Sequence, residues 1–79
     1  MPMVEPITAK GIETTPHGLV LILPNHQVVQ IAWEKCSAKL VAATESQRMY
    51  AELSPGGYGI HWPLLDEDLS INGLLRGQD

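Results

Sequence analysis

The apolar positions of the chain change period twice. From Ile7 to Thr14 they alternate imperfectly, through Ile7, Ala9, Gly11 and then Ile12. This predicts a first strand with a bulge or kink at Gly11. Thr15-Pro16-His17-Gly18 reads as a turn, with Pro16 at its first corner and Gly18 free to take positive φ. Leu19 to Leu23, LVLIL, is a short unbroken apolar run, as expected of a strand buried on both or nearly both faces. Pro24-Asn25-His26 closes it in a tight hairpin, with Asn25 suited to the left-handed region. Gln27 to Trp33 is a third strand. It places Val29, Ile31 and Trp33 on one face and Val28, Gln30 and Ala32 on the other. These segments predict an antiparallel meander.

The period then becomes helical. Glu34 to Ala43 has no Gly or Pro, and Cys36, Leu40 and Ala43 form a narrow apolar stripe. Thr44 and Gln47 have the spacing of a capping box, so a new helix is expected from Thr44 to about Leu53, burying Met49 and Leu53 with Tyr50 beside them. Either the two helices meet at a kink at Thr44 or the first spans only a turn or two. Ser54-Pro55-Gly56-Gly57 reverses the chain. Tyr58 to Trp62 alternates as a fourth strand, with Tyr58, Ile60 and Trp62 on one face and Gly59 and His61 on the other. Leu64 to Asp68 is an acidic turn. Asp68 or Ser70 then caps a last helix that packs Leu69, Ile71 and Leu74 inward and stops at Gly77.

The predicted fold class is α+β. A small antiparallel sheet, the three-stranded meander plus a fourth strand that rejoins it, carries two to three short helices packed on one face. The other face is left open to a homodimer or another partner. A single domain is expected over residues 1–79, with a loose lead-in at 1–6 and a tail at 78–79.

Composition narrows the chemistry. The chain has no phenylalanine, so an aliphatic core is expected, with Trp62 buried, Trp33 mostly buried and the two tyrosines split between core and surface. The net charge is −4, and the five basic residues, Lys10, Lys35, Lys39, Arg48 and Arg76, are dispersed. That disfavours direct nucleic-acid binding and favours a basic protein partner. Cys36 is the only cysteine, which excludes an intrachain disulfide and argues against a structural zinc site. No export signal and no membrane-length apolar run stand out in the sequence, and a cytoplasmic location is expected.

Four constellations invite a chemical reading. His61 with Asp66, Glu67 and Asp68 has the donor types of a divalent-metal site, but an acidic turn leading into a helix cap explains the same residues and no metal or cofactor is assigned. His61 lacks a positioned nucleophile and reads as a surface or interface group. Cys36 on an apolar helix stripe reads as core. Gly56-Gly57-Tyr58-Gly59 precedes a strand, so it offers no helix N-terminus to a phosphate. The candidate partner-binding residues are Tyr58, His61, Asp66, Glu67 and Asp68, and no catalytic residue is assigned.

The segment GGYGIHWPLLDEDLSINGLL, Gly56 to Leu75, resembles the domain-of-unknown-function family 2442, a group of small bacterial proteins. The block Trp33 to Arg48 also matches, with Ser37, Lys39, Leu40, Ala43, Thr44, Gln47 and Arg48 in familiar places, and the resemblance covers roughly residues 7–77. Two departures are Ala38, where the family tends to have proline, and Pro55, where glycine is usual. The family has no established enzymatic activity, so what the resemblance implies about chemistry is limited. Many members are encoded beside another small protein in pairs that look like toxin–antitoxin modules, this chain resembling the antitoxin side. The expected function is thus a non-enzymatic protein-binding module that neutralises a small basic partner encoded by a neighbouring gene. The alternatives are a metal-dependent hydrolase using His61 and the Asp66–Asp68 carboxylates, a mobile-element-encoded inhibitor, or a nucleic-acid-binding regulator.

Overall fold

A computed structural model describes residues 7–77; the expected lead-in at 1–6 and tail at 78–79 lie outside the described residues. The architecture is α+β, with two antiparallel three-stranded sheets and four short helices among the described residues. In chain order these are β1 (Gly11–Thr14), β2 (Gly18–Ile22), β3 (Val28–Ala32), α1 (Trp33–Cys36), α2 (Ala38–Ala42), α3 (Glu45–Met49), β4 (Glu52–Leu53), a 3₁₀ turn at Pro55–Gly57, β5 (Gly59–Trp62), β6 (Glu67–Ser70) and α4 (Ile71–Arg76).

The meander forms as expected, in the order β1-β2-β3, and is called sheet A below. Its register sets Leu21 between Ile12 and Val29, and Leu19 between Thr14 and Ile31. Leu19, Leu21 and Ile31 are fully buried, while Val20 and Ile22 on the opposite face are only half-buried. The LVLIL run is therefore covered on one face, not two. Two turn assignments also shift. The left-handed residue of the β2–β3 hairpin is His26, at φ 68°, and Asn25 instead accepts the Gln27 N–H through its side chain. Gly18 is not left-handed; it is glycine because a Cβ there would collide with the carbonyl oxygen of Ile31 across the ladder.

The first strand begins at Gly11 and not at Ile7, because the chain crosses between sheets just before it. The Ala9 N–H donates to Gly57 O at 2.8 Å, and the next N–H, from Lys10, donates to Ile22 O at 2.6 Å. Gly57 is buried at φ 77°, and any Cβ there would strike the Ala9 carbonyl, so both its dihedral and its contact require glycine.

The fourth expected strand does not rejoin the meander. It is the centre of a separate sheet, β4-β5-β6, called sheet B, whose outer strands were read as the end of a helix and as an acidic turn. Helix α3 stops at Met49, so Glu52 and Leu53 extend and pair with His61 and Ile60. The other edge is Glu67–Ser70, in which Leu69 pairs with Ile60 and Asp68 with His61. The helical stripe is also interrupted. Ser37 is extended, at φ −169° and ψ 156°, and its side chain caps α2 through Leu40 N. Thr44 and Gln47 form the expected capping box of α3. Ser70, and not Asp68, caps α4 through Gly73 N. Met49 is 61% exposed, against the expectation of burial, and both tyrosines are exposed where one was expected inside.

Both tryptophans are buried, and the half-buried Arg48 bridges them. Arg48 Nε donates to Leu40 O at 2.9 Å, and its Nη2 donates to Val41 O at 3.2 Å and Ala43 O at 3.1 Å. These carbonyls cluster where α2 ends, where Leu40 O also accepts the Ala43 N–H and the helix dipole favours a cation. The guanidinium carbon lies 5.6 Å from the centroid of the Trp33 ring. The backbone carbonyl of Arg48 accepts the Trp62 indole N–H at 3.0 Å, and the Trp33 indole donates to Thr15 O at 3.1 Å.

Two stability predictions follow from this geometry. Replacing Arg48 by Met keeps the apolar stem but removes three charge-assisted hydrogen bonds, and should lower the urea unfolding free energy by about 2–3 kcal/mol. Arg48→Lys should not restore it, because an ammonium lacks the planar fork. In contrast, Ala38 occupies the first helical position of α2, after an extended Ser37. Ala38→Pro should therefore be tolerated, raising stability by about 0.4–1 kcal/mol in the same measurement.

Candidate partner-binding face

Sheet B has two chemically distinct faces. Antiparallel pairing puts Leu53, Ile60 and Leu69 in one row on the core side, and Trp62 and Glu67 on that same side. Ile60 and Trp62 are fully buried there. The opposite side carries the row Glu52, His61, Asp68 and, beside it, Gly59 and Ser70. Among these, His61 Nδ1 lies 2.7 Å from Asp68 Oδ1. A carboxylate only accepts, so Nδ1 donates and Nε2 remains directed away from this bond. The two side chains are 38% and 75% exposed, which makes this a surface pair.

The five candidate residues are divided by this alternation. Tyr58, His61 and Asp68 line one shallow depression of about 340 Å³, together with Ser54, Gly59 and Ser70. Tyr58 is exposed, and its ring lies against the Cα of Gly56, where a Cβ would meet the ring at 2.7 Å. Asp66 lies outside the depression, in the preceding turn, at φ 51°. Glu67 is turned to the core side, half-buried and opposite Trp62. The expected acidic cluster thus separates into one turn residue and two strand residues on opposite faces. Sequence reading missed Glu52, which the register places across from His61. Its signal is the four-residue alternation Ala51-Glu52-Leu53-Ser54, too short to outweigh the helical pattern before it.

Of the residues of the hydrolase alternative, His61 and Asp68 come together, while Glu67 lies on the other face of sheet B. Among the described residues, no group of three or more His, Cys, Asp and Glu side chains is placed to hold a metal ion. Cys36 is half-buried, and burial pushes its thiol up to about 11 from an ordinary 9.0, so it is protonated at neutral pH. A second depression, about 410 Å³, lies over the Thr15–Gly18 turn, β2 and β3, with His17 as its one titratable side chain. None of the described helices is long and apolar enough to cross a membrane.

The occupancy of the basic side chains is equally informative. Arg48 is spent on carbonyls within the fold, Lys39 Nζ donates to Leu65 O at 3.1 Å, and Lys10 Nζ lies 3.4 Å from His26 Nδ1. No Lys or Arg forms an ion pair with an Asp or Glu among the described residues. The acids of sheet B and its turn are therefore not neutralised by the chain's own cations.

The model of the family of proteins of unknown function DUF2442 matches residues 9–79. Two solved structures share the fold. One is the crystal structure of a protein of unknown function from Rhodospirillum rubrum, with a TM-score of 0.81 and 27% identity, covering 92% of this chain and 89% of that one. The other is the solution NMR structure of an uncharacterized protein from Chromobacterium violaceum, with a TM-score of 0.73 and 29% identity, covering 90% of this chain and 66% of that one. No curated protein matches the chain.

The Cys36 environment gives a pH prediction. A thiol whose folded pKa is raised above its unfolded value stabilises the fold below the unfolded pKa and loses that contribution as pH rises through the folded one. Stability should accordingly decline between pH 9 and 11, and less so in Cys36→Ala. Iodoacetamide should alkylate the native chain slowly below pH 9.0 and faster toward 11, whereas the urea-unfolded chain should react with a midpoint near 9.0.

Proposed function

The chain belongs to the DUF2442 family, and on that footing we propose that it is a non-enzymatic protein-binding module, an antitoxin-like neutraliser of a small basic protein in the cytoplasm. The contact surface is the outer face of sheet B, with Tyr58, His61, Glu52 and Asp68 at its centre and Asp66 at its margin. The observation that carries this reading is the exposed acidity of that face: Glu52, Asp66 and Asp68 are exposed and, among the described residues, no Lys or Arg forms an ion pair with them, in a chain of net charge −4. An acidic, aromatic-flanked face of this kind steers a cationic partner and discourages nucleic acid. Tyr58 supplies a rigid aromatic contact of the type enriched at interface hot spots.

The test is co-expression with the small protein encoded beside it, followed by size exclusion and titration. A single complex peak is expected. Tyr58→Ala and Asp68→Asn should each weaken the affinity roughly tenfold, and Glu13→Gln on sheet A should leave it unchanged. Association should slow as salt is raised, since steering is screened. Separate elution of the two proteins at micromolar concentration would refute the assignment.

A further inference from the structure

The short helix α4 contains an Asn-Gly bond, Asn72-Gly73, in its first turn, with both residues exposed between the buried Ile71 and Leu74. Asn-Gly is the dipeptide most open to spontaneous deamidation, because glycine places no side chain over the backbone nitrogen that must attack. In that reaction the Gly73 backbone nitrogen bonds to the Asn72 side-chain carbonyl carbon. The C–N bond of the carboxamide breaks and ammonia leaves, giving a succinimide. Water then opens the ring on either side, to aspartate or to isoaspartate, with no oxidant or reductant involved.

The attacking nitrogen is occupied here. The Gly73 N–H donates to Ser70 Oγ at 2.9 Å, and helical geometry holds it away from the Asn72 carboxamide. The same turn is pinned from the other side by the Ile71 N–H, which donates to Tyr58 O at 2.9 Å. Glycine at 73 is itself part of the cap. A Cβ there would lie 2.7 Å from Ser70 Oγ and displace it. Gly73 thus both donates to the cap and makes its neighbour labile.

We propose that Asn72-Gly73 is a latent modification site, a spontaneous deamidation centre held closed by the Ser70 hydroxyl and opened when the first turn of α4 frays. Isoaspartate at 72 would insert a methylene into the main chain between the buried Ile71 and the capped Gly73, and add a carboxylate to the exposed first turn of α4. A single event would then change both the packing of α4 and its charge.

The experiment incubates the intact chain in warm, mildly alkaline buffer. It follows ammonia release, the one-dalton mass gain of the Asn72 peptide, and methyl transfer by an isoaspartyl methyltransferase. The folded chain should deamidate at least roughly tenfold more slowly than the urea-unfolded chain, since reaction requires the turn to open. Ser70→Ala should react roughly fivefold faster than the parent, the population change expected for loss of one N-cap. Ser70→Gly, which keeps a tolerated N-cap residue but no hydroxyl, guards against a misfolded alanine variant and should also react faster. Ser70→Asp, which retains an acceptor, should stay slow. Equal rates in the folded and unfolded chains, or no acceleration in a folded Ser70→Gly, would overturn the proposal.

Discussion

The structure depends on how Arg48 closes the gap between its two tryptophans. A chain of 79 residues without phenylalanine has few aromatic side chains with which to fix the angle between its parts. Trp33 stands where sheet A passes into α1, and Trp62 at the end of the central strand of sheet B. Neither indole N–H can be buried without an acceptor. One finds the carbonyl of Thr15 in the turn of the meander and the other the carbonyl of Arg48. The Arg48 side chain then satisfies three carbonyls around the end of α2 and lies over Trp33. One residue thus holds the helical middle of the chain to both tryptophans. With the Ala9–Gly57 backbone bond, it is how the two small sheets share one core.

The same arrangement explains what the family-like residues in the middle of the chain are for. Ser37 caps α2, Leu40 is fully buried, Thr44 and Gln47 close a capping box, Arg48 terminates α2, and Lys39 reaches back to the Leu65 carbonyl before β6. Each has a structural partner in the fold, and none faces the depression beside Tyr58. The departure at Ala38 has the same character. It falls at the first turn of a helix, where proline and alanine both fit, so it changes local entropy and leaves the fold intact. The resemblance in this block is therefore a record of how the backbone is satisfied at its helix ends, and it carries little chemistry.

Legibility from the sequence followed the range of the interactions. The meander, the capping box and the glycine reversal at 54–57 depend on neighbours a few residues apart, and they were readable. The second sheet was not, because its edges are decided by a central strand that lies elsewhere in the sequence. Glu52-Leu53 has only two residues in which to show a period, and the helical spacing of Met49 and Leu53 is equally good by itself. Leu64 to Asp68 carries turn-forming residues up to Asp66, yet Glu67 and Asp68 extend because Trp62 and His61 offer them a ladder. The candidate site was half legible for the same reason. Tyr58, His61 and Asp68 are brought together, while alternation in a strand that had been read as a turn sends Glu67 to the far side.

That alternation also determines what kind of surface the outer face of sheet B is. Its polar row is narrow, but the residues behind it are buried. Ile60 and Trp62 flank His61 in sequence and are fully buried. Leu69 and the N-capped turn of α4 flank Asp68 and Ser70. A short polar strip backed by fixed side chains loses little conformational entropy when another molecule covers it. The Tyr58 ring is likewise restrained by the bare Cα of Gly56. Glu52, His61 and Asp68 lie side by side along a row that crosses all three strands, an extended strip that supports the contact-surface reading proposed above.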